Sequence, residues 1–87
     1  MRKEVDHLAS SMNAVHSRAV NSLAAGLPID QVRTLCQVDT LGLLDNTRHT
    51  LSHVESLCKS CKAEFIPELE EIIAIGERTL VLCRPPA

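Results

Sequence analysis

The stretch KEVDHLASSMNAVHSRAVNSLAAGLPID, residues 3–30, decides the fold class of this chain. At about 100° per residue, its apolar side chains fall into one stripe: Val5, Leu8, Met12, Val15, Ala19 and Leu23. Gly26 and Pro28 then end the pattern, because glycine commonly follows the last helical residue and proline suits the first turn of the next helix. The stretch predicts an amphipathic helix over residues 3–24 and a second helix that begins at residue 28.

The second predicted helix covers residues 28–62, because one apolar phase runs through all of them. Its stripe consists of Ile29, Val32, Cys36, Leu43, Leu44, Leu51, Val54, Cys58 and Cys61. The weak point is the segment 38–42, where polarity rises on the apolar face and Gly42 lowers helix propensity. A break near Asp39 therefore stays open as an alternative to one continuous helix.

The third predicted helix covers residues 67–82 and follows a turn at residues 64–66. Proline inside a helix costs about 3 kcal/mol, whereas the first turn tolerates it, so Pro67 is expected to open this helix. The apolar stripe here consists of Leu69, Ile72, Ile73, Gly76, Leu80 and Cys83. Residues 84–87 are expected to be a disordered tail.

The composition indicates one all-α domain over residues 1–83. Apolar residues make up 45% of the chain and Phe65 is its only aromatic residue, which favours thin, coiled-coil-like seams between helices. Helices one and three together would cover the long central helix and leave apolar surface open. We therefore predict a bundle of three amphipathic helices that completes its core as a dimeric antiparallel bundle. A compact three-helix monomer is the alternative, and it would require the break near Asp39.

The charge pattern narrows the classes of partner. Nine Lys and Arg stand against eleven Asp and Glu, and the basic residues are scattered along the chain. Nucleic-acid binders concentrate positive charge on one face, so we expect no nucleic-acid partner. The N-terminus lacks the apolar run of a signal peptide, and no stretch reaches the roughly 18 apolar residues of a membrane span. We expect no membrane partner, a cytoplasmic protein and reduced cysteines.

The motif Cys58-Lys59-Ser60-Cys61 is the one pattern with a chemical precedent. CxxC pairs bind metals or carry redox chemistry, and a redox cysteine is expected at a helix N-terminus. Because this pair is predicted late in the second helix, in phase with its apolar stripe, we favour small core cysteines. A thiol-based metal or redox sensor that uses Cys58 and Cys61, with Cys36 or Cys83 as a further metal ligand, is the alternative.

Other chemical signatures are weak in this sequence. His16 lies on the apolar stripe of helix one and is expected to be a buried histidine with one satisfied hydrogen bond. We find neither a glycine-rich phosphate loop nor a glycine loop of the oxyanion-hole type. We therefore expect no enzyme activity and no cofactor.

The function favoured by these observations is a small regulatory or inhibitory protein–protein interaction module, with a homodimer and a further protein partner expected. Helix-in-groove recognition needs an amphipathic face, and the third helix provides an acidic and aliphatic one. The predicted partner-binding residues are Glu68, Leu69, Glu70, Glu71, Ile72, Ile73, Glu77 and Leu80.

A short resemblance illustrates this class of function. Gly26-Leu27-Pro28, Asp30, Thr34-Leu35 and Asp39-Thr40-Leu41 resemble the helix–turn–helix stretch of plasmid quorum-sensing antiactivators. The resemblance implies a small α-helical dimer that sequesters a transcription activator.

Overall fold

The computed structural model describes residues 1–83 and shows three helices, α1 (Arg2–Ala24), α2 (Ile29–Glu55) and α3 (Lys59–Leu82). Each helix packs against the other two. Helices α1 and α3 run in the same direction and α2 runs opposite to both, since the start of α1 meets the start of α3 through Arg2 and Glu64. The predicted all-α bundle of three helices is confirmed. The predicted disorder of residues 84–87 lies outside the described residues.

The turn between α1 and α2 forms where it was predicted. Gly26 adopts a φ of 86°, a left-handed conformation that glycine reaches without steric cost. Its N–H donates to the carbonyl of Leu23 at 3.0 Å, and the N–H of Leu27 donates to the carbonyl of Ser22 at 3.1 Å. This pair of bonds is the Schellman arrangement, which satisfies the last carbonyls of a helix. Local chemistry alone therefore ends α1.

Helix α2 is continuous through Gly42 but ends at Glu55, so the predicted extension to residue 62 is wrong. The N–H groups of Ser56 and Leu57 donate to the carbonyls of His53 and Val54 at 3.1 and 2.9 Å, which tightens the last turn. The Ser56 hydroxyl also donates to the His53 carbonyl at 2.6 Å. The chain thus reverses at residues 56–58, and the three helices pack together without a break near Asp39.

Helix α3 begins at Lys59 and not at Pro67, so the predicted turn at residues 64–66 is also wrong. Pro67 lies inside the helix and is exposed to solvent. Having no N–H, it leaves the carbonyl of Ala63 without its helical partner, but Ala63 is exposed and water can solvate that group. The helix continues because Phe65, Leu69 and Ile72 then bury one common face.

We expect Pro67→Ala to raise the free energy of unfolding by roughly 1 kcal/mol, which is less than the full cost of an interior proline of about 3 kcal/mol. The gain comes from restoring the hydrogen bond to Ala63, and it is limited because water already solvates that carbonyl. Urea unfolding followed by far-ultraviolet circular dichroism measures it. Pro28→Ala is the matched control, since Pro28 caps α2 where proline is tolerated. A Pro67→Ala variant less stable than the parent chain would contradict this account.

The core consists of two clusters along the 46 Å length of the molecule. The large-residue cluster lies toward the α2–α3 turn and contains Val5, Leu8, Met12, Leu44, Val54, Phe65, Leu69 and Ile72. The small-residue cluster lies toward the α1–α2 turn and contains Val15, Ala19, Val32, Cys36 and Cys83. The molecule therefore has a well-filled half and a half with a thin core.

Three threonines are fully buried among these apolar residues, and each satisfies its hydroxyl within its own helix. Thr40, Thr47 and Thr79 donate to the carbonyls four residues earlier, at 2.7, 2.6 and 2.8 Å. Burying a hydroxyl without a partner would be costly, whereas these bonds remove most of that cost. Within residues 1–83, no helix has the length and apolar character required to cross a membrane.

Candidate functional site

The apolar residues of the predicted partner face belong to the protein's own core. Leu69 and Ile72 are 0% and 2% exposed, and both lie in the large-residue cluster. Ile73 and Leu80 are half-buried against the same cluster. The folded bundle therefore uses these four side chains internally, because α3 lies along α1 and α2. An isolated third helix would have exposed them.

The glutamates of that face are exposed, but three of the four have ion-pair partners within the chain. Glu71 lies 3.8 Å from Arg78 and Glu77 lies 3.5 Å from Arg48. Glu68 accepts two hydrogen bonds from Arg2, each 2.8 Å long, and this arginine lowers the pKa of Glu68. Within residues 1–83, only Glu70 of the four has no ion pair. The net negative charge that this face presents to a partner is therefore smaller than the four glutamates in the sequence imply.

Arg2 joins the start of α1 to the start of α3. Besides Glu68, it donates to Glu64 at 2.7 Å and to Asp6 at 3.1 Å, and its guanidinium lies 4.8 Å from the centre of the Phe65 ring. Glu64 and Glu68 stand 62 and 66 positions after Arg2 in the sequence. Sequence reasoning missed them because no local pattern relates such distant residues.

A set of exposed apolar side chains marks one end of the bundle. Among residues 1–83, the large apolar side chains that are exposed are Val20, Leu27, Leu35, Val38, Leu41 and Val81. They come from the end of α1, the α1–α2 turn, the first half of α2 and the end of α3, so they lie in the half of the molecule that contains the α1–α2 turn. We call these six residues the apolar end. It surrounds the small-residue cluster, so a thin core and an exposed apolar surface coincide.

The middle of the apolar end is the outer face of α2. Val38 is the most exposed of the six, at 76%, and Leu35 and Leu41 lie one helical turn to either side. A shallow groove between α1 and α2 adjoins Val38, and small residues such as Ala14 and Gly42 line it. This segment was predicted to be a weak point of the helix, because polarity rises on the apolar face there and Gly42 lowers helix propensity.

The charged residues beside the apolar end are paired with one another. Arg18 reaches Asp39 at 3.5 Å, and Arg33 forms an ion pair with Asp30. Each pair combines one positive and one negative charge, so this part of the surface has little local net charge. A surface of this kind favours contact with another apolar surface over contact with a charged ligand.

The CxxC motif was predicted late in the second helix, but it lies at the start of α3. Cys58 is the N-cap of α3 with an extended backbone, and Cys61 follows in the first turn. Their Sγ atoms are 3.0 Å apart, and the Ser60 hydroxyl lies 3.3 Å from the Cys58 sulfur. Cys58 is exposed and Cys61 is half-buried. The interpretation as a core cysteine is wrong for Cys58, because the α2–α3 turn falls between Glu55 and Lys59, whereas Cys61 packs against the large-residue cluster.

The two thiols of this pair ionise differently. Hydrogen bonds from the Cys61 thiol and then from Ser60 lower the pKa of Cys58 to about 7, because they stabilise its thiolate. The pKa of Cys61 is raised, first by its hydrogen bond with Cys58 and then by partial burial. Once Cys58 has lost its proton, the Cys61 S–H is the donor between the two sulfurs. Cys58 is therefore the nucleophilic member of the pair.

The remaining cysteines lie at the opposite end of the bundle. Cys36 and Cys83 are buried in the small-residue cluster, and burial raises the pKa of Cys83, with a smaller effect from Cys36. The alternative metal site therefore loses Cys36 as a ligand beside Cys58 and Cys61. Within the described part of the chain, no three His, Cys, Asp or Glu residues are grouped to hold a metal ion.

His16 is half-buried and hydrogen bonded, as expected from its place on the stripe of α1. Its Nδ1 lies 2.8 Å from the Thr79 hydroxyl oxygen. Since the Thr79 hydroxyl donates to the Ile75 carbonyl, Nδ1 of His16 is the donor and carries the proton. His16 therefore joins α1 to α3.

The structure defines this chain as a three-helix bundle with the apolar end on one side and the Cys58–Cys61 pair, of which Cys58 is exposed, at the other end. Comparison of the chain with protein-family models, with curated proteins and with solved structures yields no match.

Proposed function

We propose that this protein is a small regulatory or inhibitory interaction module that associates with a second copy of itself through the apolar end. The observation that carries the proposal is that all six exposed large apolar side chains of residues 1–83 lie in the half of the molecule that contains the α1–α2 turn, with Leu35, Val38 and Leu41 successive on the outer face of α2. Single exposed apolar residues are ordinary, whereas a cluster of them marks an interaction surface. Covering these residues would bury further apolar surface over the small-residue cluster, which has the smaller core of the two halves.

A second copy is the occupant that this surface fits best. A two-fold contact between the outer faces of α2 would bury Leu35, Val38 and Leu41 of both copies, because such a contact uses the same residues twice. The flanking charges are already paired within one chain, through Arg18 with Asp39 and Arg33 with Asp30, so the contact buries no lone charge. Gly42 has nothing within 4 Å of where a Cβ would be, which allows a close approach of another backbone.

The regulatory part of the proposal follows from the surfaces that such a dimer leaves free. The outer face of α3 keeps Glu70, Glu71 and Glu77 accessible to a further protein partner. A module of this kind acts by occupying a partner's surface, as an inhibitor that sequesters its target does. We place it in the cytoplasm, where its four free cysteines would stay reduced.

We expect Val38→Lys to raise the dimer dissociation constant at least about tenfold, which corresponds to about 1.4 kcal/mol. The substitution places two equal charges opposite each other in the contact, and Val38 is too exposed to matter for the monomer core. Sedimentation velocity over a series of protein concentrations measures the effect. Ser52→Lys is the matched control, since Ser52 is exposed on the same helix toward its other end.

Two results would overturn the proposed self-association. One is a parent chain that stays monomeric at every concentration studied. The other is a Val38→Lys variant that dimerises as well as the Ser52→Lys control, which would place the contact elsewhere. Circular dichroism on each variant separates loss of the contact from loss of the fold.

A further inference from the structure

The geometry of the Cys58–Cys61 pair is that of a dithiol close to forming a bond. The two sulfurs are 3.0 Å apart, and a disulfide needs about 2.0 Å. Cys58 is the N-cap of α3 and Cys61 lies in its first turn, so the same end of one helix carries both sulfurs. Cys58 is open to solvent and accessible to a reactant.

We propose that Cys58 and Cys61 form a redox-active site that a low-molecular-weight disulfide of the glutathione type oxidises reversibly to an intramolecular disulfide. Three features on the described chain support this assignment: the position of Cys58 at a helix N-terminus, the proximity of its partner sulfur, and the exposure of Cys58. The site is independent of the apolar end and lies at the opposite end of the bundle.

The chemistry balances with one disulfide as the oxidant. The Cys58 thiolate attacks one sulfur of glutathione disulfide, a Cys58–glutathione bond forms, and one glutathione thiolate leaves. Cys61 then loses its proton and attacks the Cys58 sulfur, which forms the Cys58–Cys61 bond and releases the second glutathione thiolate. The protein loses two electrons and two protons, and glutathione disulfide becomes two molecules of glutathione.

The division of roles follows from the surroundings of each sulfur. Cys58 is the attacking thiolate because the Cys61 thiol, the Ser60 hydroxyl and the helix N-terminus all favour its ionised form. Cys61 resolves the mixed disulfide, and the carboxylate of Glu64 acts against its ionisation. Cys36 and Cys83 are buried, so a disulfide in solution cannot reach them without opening the small-residue cluster.

The test exposes the reduced protein to buffers of reduced and oxidised glutathione, quenches with acid, alkylates the remaining thiols and reads the product by mass spectrometry. The parent chain is expected to lose two hydrogen atoms, with the new bond mapped to Cys58 and Cys61. Cys61→Ser is expected to stop at the mixed disulfide on Cys58. Cys58→Ser is expected to react more slowly by roughly tenfold or more, because the low-pKa thiol is gone. Cys36→Ser is the matched control and should behave like the parent chain.

The pH dependence provides a second readout. The rate of Cys58 alkylation by iodoacetamide should rise with pH through a midpoint of about 7, because only the thiolate reacts. A midpoint near that of an ordinary cysteine, a bond mapped to Cys36 or Cys83, or equal rates in Cys58→Ser and the parent chain would overturn the proposal. Val38→Lys should oxidise normally, so failure of this site and failure of self-association are distinguishable.

Discussion

Leu69→Ala is expected to lower the free energy of unfolding by about 2–5 kcal/mol. Leu69 is fully buried in the large-residue cluster, where Met12, Leu44 and Ile72 are also buried. Truncation removes apolar contacts and leaves a cavity, which the three helices cannot fully close because each packs against the other two. Urea unfolding followed by circular dichroism measures the loss, because the chain has no Trp or Tyr to report it by fluorescence.

The same substitution decides between two roles for Leu69. If it were a partner anchor on an exposed face, Leu69→Ala would weaken binding and leave stability nearly unchanged. Val38→Ala is the matched control, since Val38 is 76% exposed, and we expect it to change stability by less than about 0.5 kcal/mol. Both variants are compared at a protein concentration low enough that self-association does not contribute. Equal stability of the two variants would contradict the core role of Leu69 and favour its predicted role in partner binding.

Gly76→Ala is expected to destabilise the bundle by about 1–3 kcal/mol, although alanine is the better helix former. A Cβ at residue 76 would lie 2.6 Å from Cδ2 and 2.9 Å from Cγ of Leu44, and 2.8 Å from Cε of Met12. All three atoms belong to buried side chains of the large-residue cluster, so Leu44 and Met12 would have to shift within close-packed surroundings. Urea unfolding measures this effect as well.

Gly42→Ala is the matched control for that substitution. Gly42 also lies inside a helix, but no atom lies within 4 Å of the position that a Cβ would take there, so we expect a gain of up to about 1 kcal/mol from helix propensity. The two variants should therefore change stability in opposite directions. A Gly76→Ala variant as stable as Gly42→Ala would show that α2 and α3 do not approach closely at this point.

The first helix and its turn follow from local chemistry. The stripe from Val5 to Ala19 is buried as the period of 3.6 residues requires. Gly26 ends the helix because the left-handed conformation it adopts excludes most other residues. Neither feature depends on where α2 and α3 lie, and both could be predicted from the sequence.

The α2–α3 turn does not follow from local chemistry. Residues 56–58 contain neither glycine nor proline, and the apolar phase of α2 continues beyond them. Pro67 is the strongest local signal for a helix start, yet α3 runs through it. Burial of Phe65, Leu69 and Ile72 against the other two helices outweighs the cost of one proline, and no single segment contains that information.

The candidate sites divide along the same line. The CxxC spacing is readable in the sequence, but the placement of Cys58 at a helix N-terminus depends on the tertiary turn, and so does its chemistry. The apolar end unites residues from three helices, so it exists only once they are packed together.

The sequence by itself determined an all-α protein, the first helix and the turn at Gly26, because hydrophobic period and backbone conformation are local properties. Only the tertiary structure decided where α2 ends, which apolar residues are left exposed and which thiol ionises most easily. These depend on contacts between distant residues, and such contacts overrule local preference when they bury enough apolar surface.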